Sequence, residues 1–359
     1  MVCPYSLTIP GGVQNQVLGL ARAFRGLGHH VRVLGPCDGP PPDVGVIPLG
    51  VSVPVEANGS IASLAPDPSA QLRTIRALWD EAFDVVNLHE PVVPGPTFTA
   101  LMIEDAPKIG TFHAAGASAS YRYLGVPLRW WANRLELRCA VSRDARTLAA
   151  SMLPGHYEVL FNGVDAPAFA KAEPAPTTCP TVMFLGRHEP RKGLAEFLEA
   201  VTSLPEALEI WVASDGPQTV ELQRRFRDPR IQWLGRITDA EKARRLRGAD
   251  IFCAPSLSGE SFGVVLLEAM AAGAAVVASN LPGYRTVARH GIDSLLVQPG
   301  DVAALTAAVR HLLHEPALVA DLVGAGHDRA AMFSLDRLAV RYLELFETCL
   351  SHRRRIVRT

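Results

Sequence analysis

Short apolar runs alternate with helix-period segments along almost the whole chain. In the first half, apolar runs predict strands at Val31–Leu34, Val85–Leu88, Lys108–Phe112, Cys139–Ser142 and Glu158–Phe161. Between them, the spacing predicts helices over Val13–Leu27, Gln71–Glu81 and Arg143–Ser151. The stretch from Leu34 to Gln71 is rich in Pro, Gly and Asp and reads as a loop with room for short strands. Met1-Val2-Cys3 reads as the end of a strand, whereas a strand of mean length needs about five residues. Either the first strand is short or the sequence starts a few residues late.

The period is lost after Asp165. Asp165–Pro180 carries Pro167, Pro174, Pro176 and Pro180 among many alanines, and is expected to be an interdomain linker. The alternation then restarts with strands at Val182–Leu185, Glu209–Ala213, Ile231–Leu234, Ile251–Ala254, Ala275–Ser279 and Leu295–Val297. Helices are expected at Leu194–Val201, Ala240–Arg247, Phe262–Ala272 and Val302–His314, and the last segment, Leu335–His352, reads as one long amphipathic helix. This alternation is the sequence form of parallel sheets with helices on both faces. A chain of 359 residues has room for two such domains. We expect an N-terminal doubly wound domain over 1–165 and a second over 166–334.

Hydrophobic residues make up 48% of the chain and charged residues 20%, a balance that fills cores and excludes a disordered chain. The net charge of −1 argues against bulk electrostatic binding, so no nucleic-acid partner is expected. Six cysteines are scattered without a C-x-x-C pair, four of them (Cys3, Cys139, Cys253, Cys349) in apolar segments. They read as reduced thiols of a cytoplasmic protein rather than a disulfide framework or a zinc site. There is no signal-peptide pattern and no run of about 18 apolar residues.

The unusual residues cluster just after strands. Gly11-Gly12 follows the first, His89-Glu90-Pro91 another, and His113 a third; Arg187–Gly193, Gly235–Lys242 and Ser258–Gly263 do the same in the second half. Doubly wound sheets bind ligands at the carboxyl ends of their strands, so an active site between the two domains is expected. In Gly186-Arg187-His188-Glu189-Pro190-Arg191-Lys192-Gly193, Arg187 and Lys192 stand five residues apart across a strand-to-helix turn. Two readings are open: a diphosphate clamp of planar guanidinium, point charge and helix-start amides, or a solvated basic turn.

In Gly259-Glu260-Ser261-Phe262-Gly263, Glu260 reads as a carboxylate at the start of a helix, where the dipole favours it. Glu268 lies eight residues on, among apolar residues, and so needs a hydrogen-bonding partner. About two helical turns apart, the pair could face one polyhydroxylated ligand.

Gly-Arg-x4-Lys-Gly followed by Glu-Ser-Phe-Gly-x4-Glu-Ala-Met-Ala-x-Gly resembles the retaining glycosyltransferases of family four, which have the GT-B fold. The likeness spans nearly the whole chain. It is carried further by Val2-Cys3-Pro4-Tyr5-Ser6, Pro10-Gly11-Gly12-Val13-Gln14, Asn58-Gly59-Ser60, His89-Glu90-Pro91, Thr111-Phe112-His113, Asn162-Gly163-Val164-Asp165, Met270-Ala271-Ala272-Gly273 and Val276-Val277-Ala278-Ser279. The set is similar to the actinobacterial GDP-mannose-dependent phosphatidylinositol mannosyltransferases.

That resemblance implies a donor site in the second domain. Arg187 and Lys192 would hold the leaving diphosphate, Glu260 the sugar hydroxyls with Ser261, Phe262 and Gly263, Glu268 the ribose, and Ile237 and Lys242 the base. Gly12 would let the first loop approach the donor phosphates, and His113 would sit by the transferred sugar. Tyr5, Gly11, Gln14, Asn58, His89 and Glu90 fall on the acceptor side. For His89 and Glu90, a polar strand end with a rigid turn is an equal reading. The family transfers with retention, an acceptor hydroxyl attacking on the leaving-group face. The chain has no D-x-D, which agrees with transfer that needs no metal or other cofactor beyond the nucleotide sugar. Whether the donor base is guanine or uracil stays open. The final helix, 335–359, is expected to pack back on the first domain.

The acceptor side departs from the pattern. Ala114-Ala115-Gly116-Ala117-Ser118 replaces hydroxyl and basic residues after His113, Val92-Val93 follows His89-Glu90-Pro91, and the basic helix is represented by Arg73 and Arg76 alone. Between Ser118 and Thr147 six arginines face only Glu136 and Asp144, with Trp130 and Trp131 among them. That composition suits a helix on an anionic phospholipid surface, at the inner face of the plasma membrane, or an ordinary exposed helix whose tryptophans are partly core. Rival readings are a sister transferase with another donor or a soluble acceptor, and a nucleotide-sugar epimerase, which would turn over donor alone.

Overall fold

The structure is a computed structural model that describes residues 1–57, 60–103, 106–114 and 130–356. The chain divides into two compact units, one formed by Met1–Gly163 with Leu335–Thr359 and the other by Val164–Ser334.

The first unit opens with helix α1 (Gly12–Gly26), strands β1 (Val33–Gly35) and β2 (Val46–Pro48), and an antiparallel hairpin of β3 (Val53–Ala57) and β4 (Ser60–Leu64). Helix α2 (Pro68–Glu81), β5 (Val86–His89), α3 (Pro96–Ile103), β6 (Lys108–Phe112), β7 (Leu137–Ala140), α4 (Arg143–Met152) and β8 (Glu158–Val159) follow. Strands β5 to β8 pair in parallel in chain order. Val2 bridges Leu34 on one side and Leu88 on the other, so Met1–Cys3 fills the place of a strand between β1 and β5. The Val2 N–H donates to Asn87 O, and the His89 N–H donates to Val2 O.

The second unit contains α5 (Ala166–Ala170), β9 (Thr181–Leu185), α6 (Leu194–Thr202), β10 (Glu209–Ala213), α7 (Thr219–Arg225), β11 (Ile231–Gly235), α8 (Asp239–Gly248), β12 (Ile251–Ala254), α9 (Val264–Ala272), β13 (Ala275–Ser279), β14 (Leu295–Val297), α10 (Val302–His314) and α11 (Pro316–Met332). Its six strands are all parallel, in the order β11-β10-β9-β12-β13-β14. The order reverses between β9 and β12, and doubly wound sheets bind ligands beyond the carboxyl ends at that point. Helices cover both faces, so Val182, Met183 and Phe184 of β9 and Ile251, Phe252 and Cys253 of β12 are all buried.

Helix α12 (Leu335–Ile356) rejoins the first unit. Its Tyr342 and Phe346 pack on Phe24 of α1, and Leu335, Leu338 and Ala339 join Leu20, Ile109 and Cys139 in one apolar cluster. The Tyr342 hydroxyl is 3.1 Å from Thr111 Oγ1, whose proton goes to Asn87 Oδ1, tying the helix to β5 and β6.

Several boundaries move from the sequence expectation for local reasons. Ser142 is not strand but the cap of α4, its hydroxyl accepting from Ala145 N–H at 3.0 Å. Helix α2 begins at Pro68 because Asp67 caps it and proline suits the first helical position. The same preference hides α3 and α11, whose Pro96 and Pro316 read as punctuation, and α5, which stands inside the expected linker behind its cap Asp165. The Leu34–Gln71 loop proves to hold β2, β3 and β4. Helix α9 starts at Val264 rather than Phe262, set between two left-handed glycines, Gly263 (φ 99°) and Gly273 (φ 88°).

Candidate active site

In the second unit, the residues after β9 and β12 are built against one another at the switch point. A single 3-10 turn, Pro190–Lys192, follows β9 and ends at Gly193, with φ 72° and ψ 29°. A β-carbon at 193 would stand 2.0 Å from the Pro255 carbonyl oxygen, so only glycine lets the two segments touch. The Leu257 N–H donates to Arg191 O at 2.7 Å and locks the contact.

That lock brings the basic turn onto Glu260. Lys192 Nζ donates to Glu260 Oε1 at 2.5 Å, Ser256 Oγ donates to the same oxygen at 3.0 Å, and Arg191 Nη1 is 3.8 Å away. Arg187 and Arg191 both engage Glu189, at 2.8 and 3.0 Å. Three cations face two carboxylates, which leaves one positive charge in excess. An anion can therefore enter without first displacing every internal pair. Arg187 is exposed and His188 is turned inward, its Nδ1 2.7 Å from Thr219 Oγ1, with burial lowering its basicity.

Glu260 lies on the loop before α9 and not on the helix, so the dipole does not account for it. The loop is held from below. Gly283 packs under it where a β-carbon would stand 2.0 Å from Glu260 O, and Tyr284 packs on Gly263 and places its hydroxyl 3.0 Å from Ser256 Oγ. Burial, with Glu260 beside it, holds the Tyr284 phenol above its ordinary range, so it stays protonated. Ser261 is half-buried. Phe262 is 2% exposed and packs edge-on against Phe333, so its side chain is core and only its backbone can meet a ligand.

Glu268 finds the partner its apolar setting demands in Lys242, whose Nζ donates to Oε1 at 2.8 Å. Burial opposes the Lys242 charge, but Glu268 and Asp239 outweigh it and hold the ammonium above its usual range. With Glu260 off the helix, the expected common helical face of Glu260 and Glu268 does not exist; they belong to two separate ion pairs. Ile237 is half-buried two residues after Gly235, which takes φ 62° just past Leu234, the extra residue of β11 where its register against β10 shifts.

In the first unit, the loops after β5 and β6 are interlocked. His89 Nδ1 and His113 Nε2 are 2.9 Å apart, His89 fully buried and His113 9% exposed. Burial pushes His113 down to about 3 and holds His89 well below its ordinary value, so both rings are neutral. Glu90 stands at φ 52°, unusual for a residue with a side chain. Its Oε1 accepts from the His113 and Ala114 N–H groups at 2.6 Å each. His89 and Glu90 thus face inward and support His113, in keeping with the reading of a polar strand end with a rigid turn.

Gln14 is likewise buried, its Nε2 donating to Ser6 O at 3.3 Å and its Oε1 lying over Gly11, where a β-carbon would stand 2.4 Å away. It shapes the first loop. Gly12 is exposed, and a β-carbon there meets nothing within 4 Å. Tyr5 is half-buried beside Glu90, and burial with that charge raises its phenol. Asn58 lies outside the described residues.

Sequence reasoning passed over Arg191, Ser256 and Tyr284. Arg191 is adjacent to Lys192 and was legible as a third cation. Ser256 and Tyr284 gain meaning only from the fold, which carries Tyr284 across from the turn after β13. Among the described residues, no group of three or more His, Cys, Asp or Glu side chains is arranged to hold a metal.

Residues 10–166 match the Glycosyltransferase Family 4 model, and residues 179–315 match Glycosyl transferases group 1. The chain is 37% identical to the phosphatidyl-myo-inositol mannosyltransferase of Mycobacterium leprae over 97% of its length and 96% of the relative's. It is 35% identical to the enzyme of the same name from Propionibacterium freudenreichii, over 88% and 86%. Among solved structures it is similar to sucrose-phosphate synthase from Thermosynechococcus elongatus, with TM-score 0.75 and 18% identity over 98% of both chains. Anabaena HepE, solved with UDP and glucose, gives TM-score 0.74 and 17% identity over 97% and 98%. The two α/β units are those of a GT-B glycosyltransferase. The chain belongs to the family 4 glycosyltransferases, and within them to the family of the phosphatidyl-myo-inositol mannosyltransferases.

Proposed function

We propose that this enzyme transfers mannose from GDP-mannose to phosphatidylinositol or a related inositol lipid, with retention. The observation that carries the donor half is the Arg187–Arg191–Lys192 cluster facing Glu260 at the switch point of the second unit. Its excess positive charge suits a diphosphate. As the sugar–phosphate bond breaks, charge grows on the departing β-phosphate, and Arg187 and Lys192 stabilise it from fixed positions. Lys192 then exchanges part of its contact with Glu260 for phosphate oxygen. The freed Glu260 oxygen accepts from sugar hydroxyls, and Glu268, braced by Lys242, accepts from the ribose, with Ile237 by the base. The acceptor hydroxyl attacks on the leaving-group face and gives its proton to a phosphate oxygen, so no protein base is required. No metal is needed where these cations take the leaving charge.

The acceptor half is supported by the name its relatives carry. A lipid acceptor calls for a membrane surface. On α2, Leu72 is 67% and Trp79 73% exposed next to Arg73 and Arg76, and Trp130 is 65% exposed. Apolar and basic groups so placed suit peripheral binding to anionic phospholipid at the cytoplasmic face. No described helix is long and apolar enough to cross a membrane.

The test is product formation from radiolabelled GDP-mannose with phosphatidylinositol vesicles, with UDP-glucose and UDP-N-acetylglucosamine as parallel donors and a control without acceptor. A labelled inositol lipid formed from GDP-mannose alone is the expected result. Turnover of a uridine donor, or product only with soluble acceptors, would replace the donor or acceptor named here. Conversion of donor without acceptor would indicate epimerisation.

A further inference from the structure

Two neutral imidazoles that share one hydrogen bond must divide one proton between them, and the division decides what the outer ring offers to a ligand. His89 Nδ1 and His113 Nε2 are 2.9 Å apart, with ring planes 31° from parallel. In one arrangement His89 Nδ1–H donates, His89 Nε2 keeps a bare lone pair, and His113 carries its proton on Nδ1. In the other, His113 Nε2–H donates, His89 carries its proton on Nε2, and His113 Nδ1 is a bare acceptor.

The surroundings of His89 choose between them. Its Nε2 is buried without a hydrogen-bond partner. An unused lone pair in such a place is tolerated more readily than an orphaned N–H, which is rare in folded proteins. The first arrangement is therefore favoured, and a shared imidazolium is disfavoured by the burial of both rings. The His113 ring is fixed in this role from the backbone side, because Glu90 grips the N–H groups of His113 and Ala114. Among the described residues, nothing accepts from His113 Nδ1.

We propose that His89 is a positioning residue that sets the tautomer of His113, so that His113 presents Nδ1–H as a neutral donor to an oxygen of the transferred sugar. This rests on the reading that His113 faces that sugar. It also removes His113 from consideration as the base for the acceptor hydroxyl, since its only basic nitrogen, Nε2, is occupied by His89. That agrees with a phosphate oxygen receiving the proton.

The tautomer is measured on the wild-type chain with 15N-labelled histidine, without donor or acceptor, so the result stands apart from the identity of either substrate. His113→Gln assigns the signals. The expected spectrum at pH 7 has a protonated, pyrrole-type Nδ1 and a pyridine-type Nε2 on His113. The reverse pattern overturns the proposal. In turnover assays of the full chain, His89→Leu removes the donor to His113, and kcat is expected to fall about 10–100-fold with donor KM nearly unchanged. His89→Asn, whose amide reaches the place of Nδ1 and can donate, is expected to recover at least tenfold of that loss. Equal loss in both variants, with a wild-type His113 tautomer retained in His89→Leu, would show a packing role only and overturn the assignment.

Discussion

Gly193→Ala tests whether the contact between the turns after β9 and β12 is what builds the donor site. Position 193 takes φ 72°, where a side chain costs about 1–2 kcal/mol. Its β-carbon would meet the Pro255 carbonyl oxygen at 2.0 Å, where real contacts stay beyond 3.0 Å, so the two backbones must part by 1.0 Å (3.0 − 2.0). Neither is free to do so, because Leu257 N–H holds Arg191 O at 2.7 Å and Lys192 holds Glu260. Overpacking of this kind costs about 1–3 kcal/mol. The sum, about 2–5 kcal/mol, corresponds to a fall in the Tm of the second unit of about 4–20 °C. Calorimetry reads the Tm, and titration with GDP reads the site. Gly193→Asn separates the contributions: asparagine tolerates the left-handed conformation but keeps the β-carbon, so it should retain most of the loss. A Tm within about 2 °C of wild type for Gly193→Ala would refute the argument, because it would mean that the two turns are not in contact.

Gly12→Ala is the converse: with open space around it and better helix propensity, the variant should unfold at or above the wild-type temperature while turnover falls, and unchanged turnover would mean no ligand comes near Gly12. Lys192→Ala should lower kcat by about 10²–10³-fold, and normal turnover would end its leaving-group role. Glu268→Ala leaves Lys242 with Asp239 alone, at 3.3 Å, and should cost about 1–3 kcal/mol in urea unfolding; a cycle with Lys242→Met should show coupling of at least about 0.5 kcal/mol, and strict additivity would deny the pair. His113 is held down to about 3 by burial, against about 6.5 unfolded, so between these values the unfolded chain binds a proton the folded chain refuses. Its stabilising contribution is complete above about pH 6.5 and is lost as pH falls, by about 2 kcal/mol at pH 5; the Tm drop from pH 7 to pH 5 should shrink in His113→Gln, and an undiminished drop would show that the ring is not buried neutral.

The strands and the basic turn were legible because they depend on near neighbours in sequence. The six-strand alternation from Val182 to Val297 survives intact, and Arg187–Lys192 sits after β9 as its spacing predicted. What escaped was set by residues far apart. Phe262 reads as part of a helix because its apolar run continues into α9, and the resemblance places it at the donor, but Gly263 turns the chain and the ring packs in the core against Phe333. His89 and Glu90 carry polar side chains at a strand end, which reads as exposure; their burial comes from the neighbouring loop after β6, twenty-three residues from Glu90 to His113. Gln14 gave no signal that it would fold back over Gly11.

The two units hold their candidate site residues by different means. In the second unit the charged candidate groups are paired: Lys192 with Glu260, Lys242 with Glu268, Arg187 with Glu189. Such pairs hold long side chains in place before any ligand arrives, and one surplus cation remains to attract an anion. In the first unit His113 is neutral: its ring shares a hydrogen bond with buried His89, and its N–H and that of Ala114 donate to the Glu90 carboxyl group.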